Sequence, residues 1–136
     1  MPRRTTSGLD VARVSMVLAV TERRAKILLS GSDIFTATVG GVKMSEPAGD
    51  LAVALAVASA HKDKPLRPGL VAIGEVGLAG EVRRVEGVSR RLTEAARLGF
   101  TLALVPPDSG PVPPGVHSIE VADLGQAIEY AVATNG

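Results

Sequence analysis

The chain has 136 residues and a mass of 13.9 kDa, which is the size of one domain with one core. Its formal net charge is +1. Apolar residues make up 46 % of the chain and charged residues are spread through it, which excludes both a disordered chain and a membrane span. With no Cys and only His61 and His117, the sequence predicts no disulfide, no thiolate zinc site, no cysteine nucleophile and no multi-histidine metal centre.

The first segments predict an arm followed by a helix. Residues 1–8 are polar, basic and unpatterned, which is typical of a linker remnant, so the domain itself is expected to cover residues 9–136. From Leu9, apolar residues recur at three- and four-residue spacing and predict a helix that ends at Arg24. Ser7 or Asp10 could cap its start.

The next segments predict a hairpin and a buried helix. Two β-branched runs, 26–29 and 34–39, flank a turn that contains a glycine, which is the pattern of a β-hairpin. Ser45-Glu46-Pro47 then starts a helix, because proline is tolerated at a first helical position. Residues 51–60 have almost no polar side chain, which implies burial on most sides.

The second half alternates strands and helices. The patterns predict a strand at 70–73, a turn at 77–80, a strand at 81–85, a helix at 87–98, a strand at 101–105, a proline-rich loop at 106–114, a strand at 119–121 and a last helix capped by Asp123. Strands that alternate with helices after a first hairpin predict an α/β fold with a mixed sheet and packed helices.

The glycine-rich run from Gly74 to Gly80 superficially resembles a phosphate loop. It lacks the lysine and the hydroxyl of that motif, and it continues into a strand, so no helix N-terminus faces a phosphate. A tight β-turn is the favoured interpretation, and we expect no nucleotide to bind this chain.

Catalytic candidates are few. Ser45, Ser59 and Ser89 have no nucleophile-elbow spacing, and the two histidines are best explained as solvated residues. Glu46 and Asp50 stand four residues apart on one helix face and could form a carboxylate pair. Carboxylates that stabilise the dipole at a helix start are the favoured explanation.

The charges are distributed unevenly. All 15 Lys and Arg lie within residues 1–97 with 10 of the 14 acidic residues, and residues 98–136 carry four acidic residues alone. Such a split can mark a surface for polyanions, or the fold can mix both halves on one surface. The candidates for phosphate contact are Arg83, Arg84, Arg90, Arg91 and Arg97, joined by Lys62, Lys64 and Arg67. A solvated helix face is the alternative.

The sequence resembles a known family over residues 7–133. The runs from Gly40 to Ala56 (GGVKMSEPAGDLAVALA) and from Ile73 to Val85 (IGEVGLAGEVRRV) closely resemble the C-terminal domain of the bacterial DNA repair and recombination family RadA, also called Sms. That domain is in turn similar to the proteolytic domain of Lon proteases. The resemblance therefore implies a Lon-like α/β fold.

The Lon resemblance implies a lost active site. Lon-type proteolysis uses a serine that follows a proline at a helix start, and a lysine as base. Here Ala48 takes the place of the serine and Ser89 the place of the lysine, while Glu75 matches the glutamate of the G-E-V turn. Both halves of the dyad are absent, so we expect no catalysis, no catalytic residue and no metal site.

The RadA resemblance implies function in a larger assembly. Members of that family are hexameric DNA-dependent ATPases that promote branch migration, with a four-cysteine zinc finger and a nucleotide-binding motor ahead of this domain. We therefore expect an excised domain without ATP, Mg or Zn of its own, which helps to assemble a ring and contacts duplex DNA. Two alternatives stay open: an oligomerisation module without DNA contact, and a residual peptidase that uses Ser45 or Ser89 with Lys43. No secretory signal or membrane segment is recognised, so a cytoplasmic location and no membrane partner are expected.

Overall fold

Four helices pack around a three-stranded sheet in the computed structural model, which describes residues 3–132. The helices are α1 (Val11–Arg24), α2 (Asp50–Lys62), α3 (Val88–Arg97) and α4 (Leu124–Ala131). The strands are β1 (Arg4–Ser7), β2 (Ile34–Ala37), β3 (Leu70–Ala72), β4 (Glu75–Val76), β5 (Val82–Arg83), β6 (Leu102–Val105) and β7 (His117–Glu120). The predicted α/β class with packed helices is confirmed. The predicted mixed sheet is wrong for residues 3–132, because β3–β6–β7 and β1–β2 are all parallel and the antiparallel pair β4–β5 is separate from them.

The central sheet separates two cores. Its strands run parallel in the order β3–β6–β7, and successive side chains point to opposite faces. Leu104 packs into the large core with α1, α2 and α4, whereas Ala103 and Val105 pack into a smaller core under α3. Helix α3 therefore covers one face of the sheet, and the other three helices cover the opposite face.

Both predicted aspartate caps are confirmed. The carboxylate of Asp10 accepts a hydrogen bond from the backbone N–H of Arg13 at 3.1 Å, at the start of α1. Asp123 accepts one from the backbone N–H of Gln126 at 2.8 Å, at the start of α4. Each cap satisfies an amide that the helix leaves without a partner.

The tight turn of the glycine-rich run is also confirmed. β4 and β5 form a short antiparallel hairpin, and the N–H of Gly80 donates to the carbonyl of Gly77 at 2.9 Å. Gly80 has a φ of 83°, a conformation that strongly favours glycine. The predicted strand at 81–85 is shorter than expected, because only Val82–Arg83 pairs with β4.

The predicted hairpin at 26–39 is wrong. β2 pairs in parallel with β1, with Arg4 opposite Ile34 and Ser7 opposite Ala37, and α1 is the crossover that a parallel pair requires. Residues 26–29 form no strand, since Lys26 has a φ of 58°.

The expectation of an unpatterned arm at 1–8 is wrong for the four residues of β1. A short polar strand at an edge has no alternation of apolar and polar residues that would reveal it. Residues 1–2 and 133–136, which belong to the predicted arm and to the predicted domain, lie outside the described residues.

Candidate functional site

Ala48, the position that matches the Lon serine, is buried at the foot of α2. It lies in a one-turn 3-10 helix (Pro47–Gly49) directly before α2 and is 8 % exposed. Its carbonyl accepts a hydrogen bond from the N–H of Gly74 at 3.0 Å, and its methyl group belongs to the small core with Ile73 and Leu92. A methyl group has no nucleophilic atom, and its surroundings here are apolar.

Ser89, the position that matches the Lon lysine, lies in the first turn of α3. Its hydroxyl donates a hydrogen bond to the carbonyl of Pro111 at 2.6 Å and so ties α3 to the proline-rich loop. The preceding residue, Val88, packs in the same small core as Ala48, so both dyad positions border this core. Position 48 therefore has no nucleophilic atom, and position 89 has no amine that could act as a lysine-type base.

A partly buried ionic cluster lies beside Ala48 and consists of Arg13, Asp50 and Glu75. The carboxylate of Asp50 is 2 % exposed and accepts hydrogen bonds from Nε and Nη2 of Arg13, at 2.7 and 3.0 Å. It also accepts one from the backbone N–H of Val76 at 3.1 Å. Nη2 of Arg13 reaches Glu75 Oε2 at 3.2 Å.

This ionic cluster joins three elements beside Ala48. Arg13 comes from α1, Asp50 from the first turn of α2 and Glu75 from β4, so their contacts connect distant parts of the chain. The hydrogen bond to Asp50, followed by its charge and that of Glu75, raises the pKa of Arg13. Since a planar guanidinium donates two parallel bonds to one carboxylate, the pair fixes the angle between α1 and α2.

Sequence reasoning missed this cluster because it considered Asp50 as a partner of Glu46. The two carboxylates take different partners: Glu46 Oε1 accepts from Nη1 of Arg91 at 2.6 Å, while Asp50 faces inward to Arg13. One signal was available, since a lone charged residue heads a helix that is otherwise almost wholly apolar. Arg13 gave no such signal, because it lies 37 residues from Asp50 along the chain and only the fold brings the two side chains together.

Three of the candidate arginines surround the N-terminal end of α3, and we call Arg84, Arg90 and Arg91 the arginine rim. Arg84 Nη1 donates to the carbonyl of Asp108 at 3.4 Å across a groove of 490 Å³ between the β5–α3 connection and the proline-rich loop. Arg90 is exposed one turn into α3. Within residues 3–132, neither Arg84 nor Arg90 makes a salt bridge.

Two other candidate arginines form exposed ion pairs with near neighbours. Arg83 pairs with Glu81 at 2.8 Å, and Arg97 pairs with Glu94. A hydrogen bond from its own backbone N–H, followed by that from Arg83, lowers the pKa of Glu81. The hydrogen bond from Arg97 lowers the pKa of Glu94, and the same bond raises the pKa of Arg97. Exposed pairs of this kind contribute little to stability.

The remaining candidates lie at the opposite edge of the sheet. Lys62 and Lys64 are exposed at the C-terminal end of α2, near the start of β3. Arg67 has a structural role: its Nε donates to the carbonyl of Tyr130 at 2.6 Å, and its guanidinium lies 4.8 Å from the centre of the Tyr130 ring. Arg97 is near the same end of β3, because the N–H of Thr101, shortly after α3, donates to the carbonyl of Gly69 at 3.1 Å. These four candidates therefore lie apart from the arginine rim.

Around the arginine rim, the basic residues of the first part of the chain and the acidic residues of 98–136 do not lie on separate surfaces. Glu81 forms a β-bridge with Asp123, which sets an acidic residue of the second half beside the hairpin that carries Arg83. The N–H of Asp108, whose carbonyl accepts from Arg84, donates to Glu120 Oε1 at 3.2 Å. The fold thus mixes acidic residues of residues 98–136 with the arginines.

A large apolar groove opens on the far side of α2 from the sheet. It encloses 800 Å³ between α2 and the two-stranded β1–β2 ribbon, and eighteen residues line it. Val39 is 93 % exposed, Phe35 65 % and Val42 59 %. Helix α2 presents exposed Ala52, Ala56 and Ala60 to the groove, although the sequence predicted burial on most sides.

Within the described part of the chain, no group of three or more His, Cys, Asp or Glu side chains has the arrangement of a metal site. His61 is exposed at the end of α2, and His117 is exposed at the start of β7. No helix in residues 3–132 has the length and apolar character needed to cross a membrane.

The amino-acid sequence of the chain is similar to a protein-family model and to DNA repair proteins. A family model described as subunit ChlI of Mg-chelatase matches residues 38–109. The chain is 52 % identical over 131 residues to DNA repair protein RadA of Mycobacterium tuberculosis (strain H37Rv), covering 96 % of this chain and 27 % of that protein. It is 47 % identical over 128 residues to DNA repair protein RadA of Mycolicibacterium smegmatis, covering 94 % and 28 %.

A streptococcal relative gives the same result. DNA repair protein RadA of Streptococcus pyogenes serotype M6 is 45 % identical over 130 residues, which cover 93 % of this chain and 29 % of that protein. The chain spans less than a third of the length of the curated relatives it matches. The resemblance to RadA that the sequence motifs indicated is confirmed.

Proposed function

The chain belongs to the family described as subunit ChlI of Mg-chelatase, and from this membership and its similarity to DNA repair proteins we propose that it is a non-catalytic, Lon-like domain of a RadA-type DNA repair protein. It acts as a scaffold in a hexameric ring and contacts duplex DNA through phosphates during branch migration of recombination intermediates. It works in the cytoplasm, and it needs no cofactor of its own: ATP, Mg and Zn belong to other parts of such a protein.

The lack of catalysis is supported by the two dyad positions. Ala48 has no nucleophilic atom and is buried against Ile73 and Leu92. Ser89 donates its hydroxyl proton to the carbonyl of Pro111. Nucleophilic catalysis needs a base within hydrogen-bond reach of a nucleophile; position 48 lacks the nucleophile of the Lon pair, and position 89 lacks its lysine.

DNA contact is carried by one observation, the arginine rim. Arg84 and Arg90 are exposed and have no carboxylate partner within residues 3–132. Arg91 is bound to an exposed carboxylate, Glu46, and a phosphate can displace such a partner, because exposed ion pairs contribute little free energy. With no Trp and three aromatic residues in the chain, the contact follows the backbone of the duplex rather than stacked bases.

A salt titration with fluorescent duplex DNA tests this contact. We expect the wild-type chain to bind at low salt, with an affinity that falls steeply as salt is added, since phosphate binding releases counterions. Changing both Arg84 and Arg90 to Ala removes two phosphate contacts, which should weaken binding and reduce the slope of log affinity against log salt by about 2. The double variant Lys62→Ala/Lys64→Ala removes the same charge from the opposite edge and serves as the matched control.

Each outcome of the titration bears on the proposal. Equal losses in both double variants would mean that general positive charge, not the arginine rim, attracts DNA. Unchanged binding in the arginine variant, or no binding of the wild-type chain at low salt, would contradict DNA contact altogether. A purely structural oligomerisation module, which the open apolar groove favours, would then be the better proposal.

A residual peptidase is the remaining alternative, with Ser45 or Ser89 as nucleophile and Lys43 as base. A serine-reactive fluorophosphonate should leave the wild-type chain unlabelled, because Ser89 is bound to the proline-rich loop and Ala48 replaces the nucleophile. Labelling that disappears when Ser45 or Ser89 is changed to Ala would overturn the non-catalytic assignment.

A further inference from the structure

Strand β2 is paired along one edge, where it meets β1. The N–H groups of Ile34 and Thr38 donate to backbone carbonyls on the β1 side, at 2.8 and 3.0 Å. Successive peptide groups of a strand point to opposite edges, so the N–H and C=O groups of Phe35 and Ala37 point away from β1. Within residues 3–132, the N–H groups of Phe35 and Ala37 have no hydrogen-bond partner. We call this side of the strand the free edge of β2.

The free edge of β2 lacks the features that usually protect such an edge. Edge strands are commonly protected by charged side chains, proline, a bulge or a covering element. Residues 34–39 (IFTATV) contain no charged residue and no proline, and the pairing with β1 has no bulge. By contrast, β7 begins at exposed His117 and ends at exposed Glu120. An unprotected edge of this kind can pair with a strand of another polypeptide.

The apolar groove lies along the free edge of β2. It is lined by every residue of β2, from both faces of the strand, and by no residue of β1. On its other side α2 contributes the exposed side chains of Ala52, Ala56 and Ala60. A two-stranded ribbon is marginally stable by itself, and parallel strands normally have both faces covered. A further strand in the groove would extend the ribbon and cover these alanines.

The groove has the size of a short strand rather than of a globular partner. A strand residue advances about 3.3 Å, lies about 4.8 Å from the neighbouring strand and belongs to a layer about 10 Å thick, so it fills roughly 160 Å³. The groove of 800 Å³ therefore accommodates about five strand residues. Strand β2 itself has four residues, so the groove and the free edge have matching lengths.

Charges at the two ends of β2 give the added strand a direction. Asp33 is exposed directly before β2 and lines the groove; it accepts one hydrogen bond, from the backbone N–H of Arg3 at 2.7 Å. Lys43 is exposed after β2, between Val42 and Met44, which both line the groove. Neither charged side chain forms a salt bridge within residues 3–132. A strand parallel to β2 is therefore complementary if it begins with a basic residue and ends with an acidic one.

We propose that the free edge of β2 binds an extended segment of another protein, which adds as a parallel strand and fills the apolar groove. The segment begins with a basic residue, ends with an acidic residue and carries small or β-branched side chains between them. Its backbone pairs with the N–H and C=O groups of Phe35 and Ala37, and the side chains of one face pack on α2. This inference goes beyond the proposed function, because it concerns neither DNA nor a second copy of this chain.

A fluorescent peptide measures the interaction. The probe is the peptide Arg-Val-Thr-Val-Thr-Val-Glu with fluorescein at its N-terminus, and its anisotropy is followed as the full wild-type chain is added. We expect saturable binding. Two matched peptides carry N-methyl groups, one on the three valines and the other on the two threonines. Because alternate N–H groups face β2, one methylated peptide should bind about tenfold more weakly than the probe, and the other should bind like the probe.

Two variants of the chain locate the site. Ala37→Pro removes an N–H of the free edge and keeps the bonds to β1, since proline is tolerated where a strand N–H faces solvent. Ala56→Glu places a carboxylate on the α2 side of the groove. Each should weaken binding by about tenfold, the second because the bound peptide would bury the charge. Ala19→Glu, at an exposed position of α1 outside the groove, is the matched control and should bind like the wild-type chain. Thermal unfolding followed by circular dichroism checks that the variants are folded.

Each result decides the proposal. A wild-type chain that shows no saturable binding at millimolar concentration would overturn it, and so would equal binding of the two methylated peptides. Binding by Ala56→Glu that equals binding by Ala19→Glu would place the peptide elsewhere and overturn the site. A peptide with its terminal charges exchanged, Glu-Val-Thr-Val-Thr-Val-Arg, should bind more weakly than the probe, and equal binding would overturn the parallel direction. These measurements contain no DNA and do not depend on assembly, so they leave the proposed function to its own tests.

Discussion

The ionic cluster of Arg13, Asp50 and Glu75 and the exposed pairs of Arg83 and Arg97 use the same chemical groups for different purposes. Asp50 is 2 % exposed, and every donor around it comes from another element. Arg97 and Glu94 are both more than half exposed and lie three residues apart on one helix. Because Asp50 is buried, its hydrogen bonds connect three elements of the fold. Water surrounds the Glu94–Arg97 pair, so Arg97 can exchange its partner.

The segment directly before α2 is held in place by backbone hydrogen bonds as well as by the ionic cluster. Hydrogen bonds join Ala48 to Gly74 and Leu51 to Gly74, so this segment is tied to the residues that follow β3. Asp50 adds the connection to α1. The region therefore holds helices together, and the proposed partner contacts are made at its periphery.

Removing the buried carboxylate should have the largest effect. Asp50→Ala leaves the N–H of Val76 without its partner and Arg13 with Glu75 alone. Breaking a buried pair on one side costs about 3 kcal/mol. Urea denaturation measures the free energy of unfolding. Glu46→Ala, at the exposed carboxylate of the same helix start, is the control and should change stability by less than about 0.5 kcal/mol. Equal effects of the two variants would contradict the distinction between buried and exposed pairs.

A conservative change of the cationic partner should have a smaller effect. Arg13→Lys keeps the positive charge but loses the planar fork that donates two bonds to Asp50. Since a hydrogen bond to a charged group contributes about 1.5 kcal/mol, we expect a loss of that size in the free energy of unfolding. A fully stable Arg13→Lys chain would mean that charge alone, without the fork geometry, holds α1 to α2.

Restoring the side chains of the Lon dyad should not restore activity. Ala48→Ser places a hydroxyl into an apolar site and should cost about 1 kcal/mol of stability. Combined with Ser89→Lys, it should still fail to react with a fluorophosphonate, because position 48 is only 8 % exposed. Covalent labelling of the double variant would show that the buried site opens to solvent.

The smallest effect is expected from the exposed pair of Glu94 and Arg97. Arg97 lowers the pKa of Glu94 in the folded chain, so ionisation of Glu94 favours folding above its unfolded pKa of about 4.3, and this contribution is lost as the pH falls through the folded pKa. Glu94→Gln should therefore lose less stability on acidification below about pH 4.3 than the wild-type chain does.

Urea denaturation at a series of pH values measures this difference. Glu86→Gln serves as the control, because its carboxylate forms no salt bridge within residues 3–132. A Glu94→Gln chain whose stability follows the wild-type curve at every pH would show that the pair contributes nothing to folding.

Much of the fold followed from local patterns. The helices at 11–24 and 88–97, the capping aspartates and the turn at Gly80 were all predicted, because each depends on side chains within a few residues of one another. The pairing of β2 was missed because its partner lies some thirty residues earlier, beyond α1. A short edge strand of polar residues has no hydrophobic period, so its sequence resembles that of a loop.

The features of the candidate site also separate into those that depend on single positions and those that depend on distant contacts. That Ala48 has no nucleophilic atom and Ser89 no amine could be predicted, because the absence of a chemical group is visible in the sequence itself. The partners of the arginines could not be predicted from the sequence. Arg91 binds Glu46 across 45 residues and Arg67 packs on Tyr130 across 63, and no local pattern reports such distances.

The sequence by itself determined the α/β class, the near-neutral charge and the absence of cysteine chemistry, since these depend only on composition and on periodicity along the chain. Tertiary structure alone decided which charges meet. It buried Asp50 against Arg13, paired Arg83 with Glu81 and Arg91 with Glu46, and opened a groove beside α2. The physical reason is that the interaction energy of a charge, and the free energy gained by an apolar surface, depend on how far each is removed from water. Only the folded chain sets that exposure.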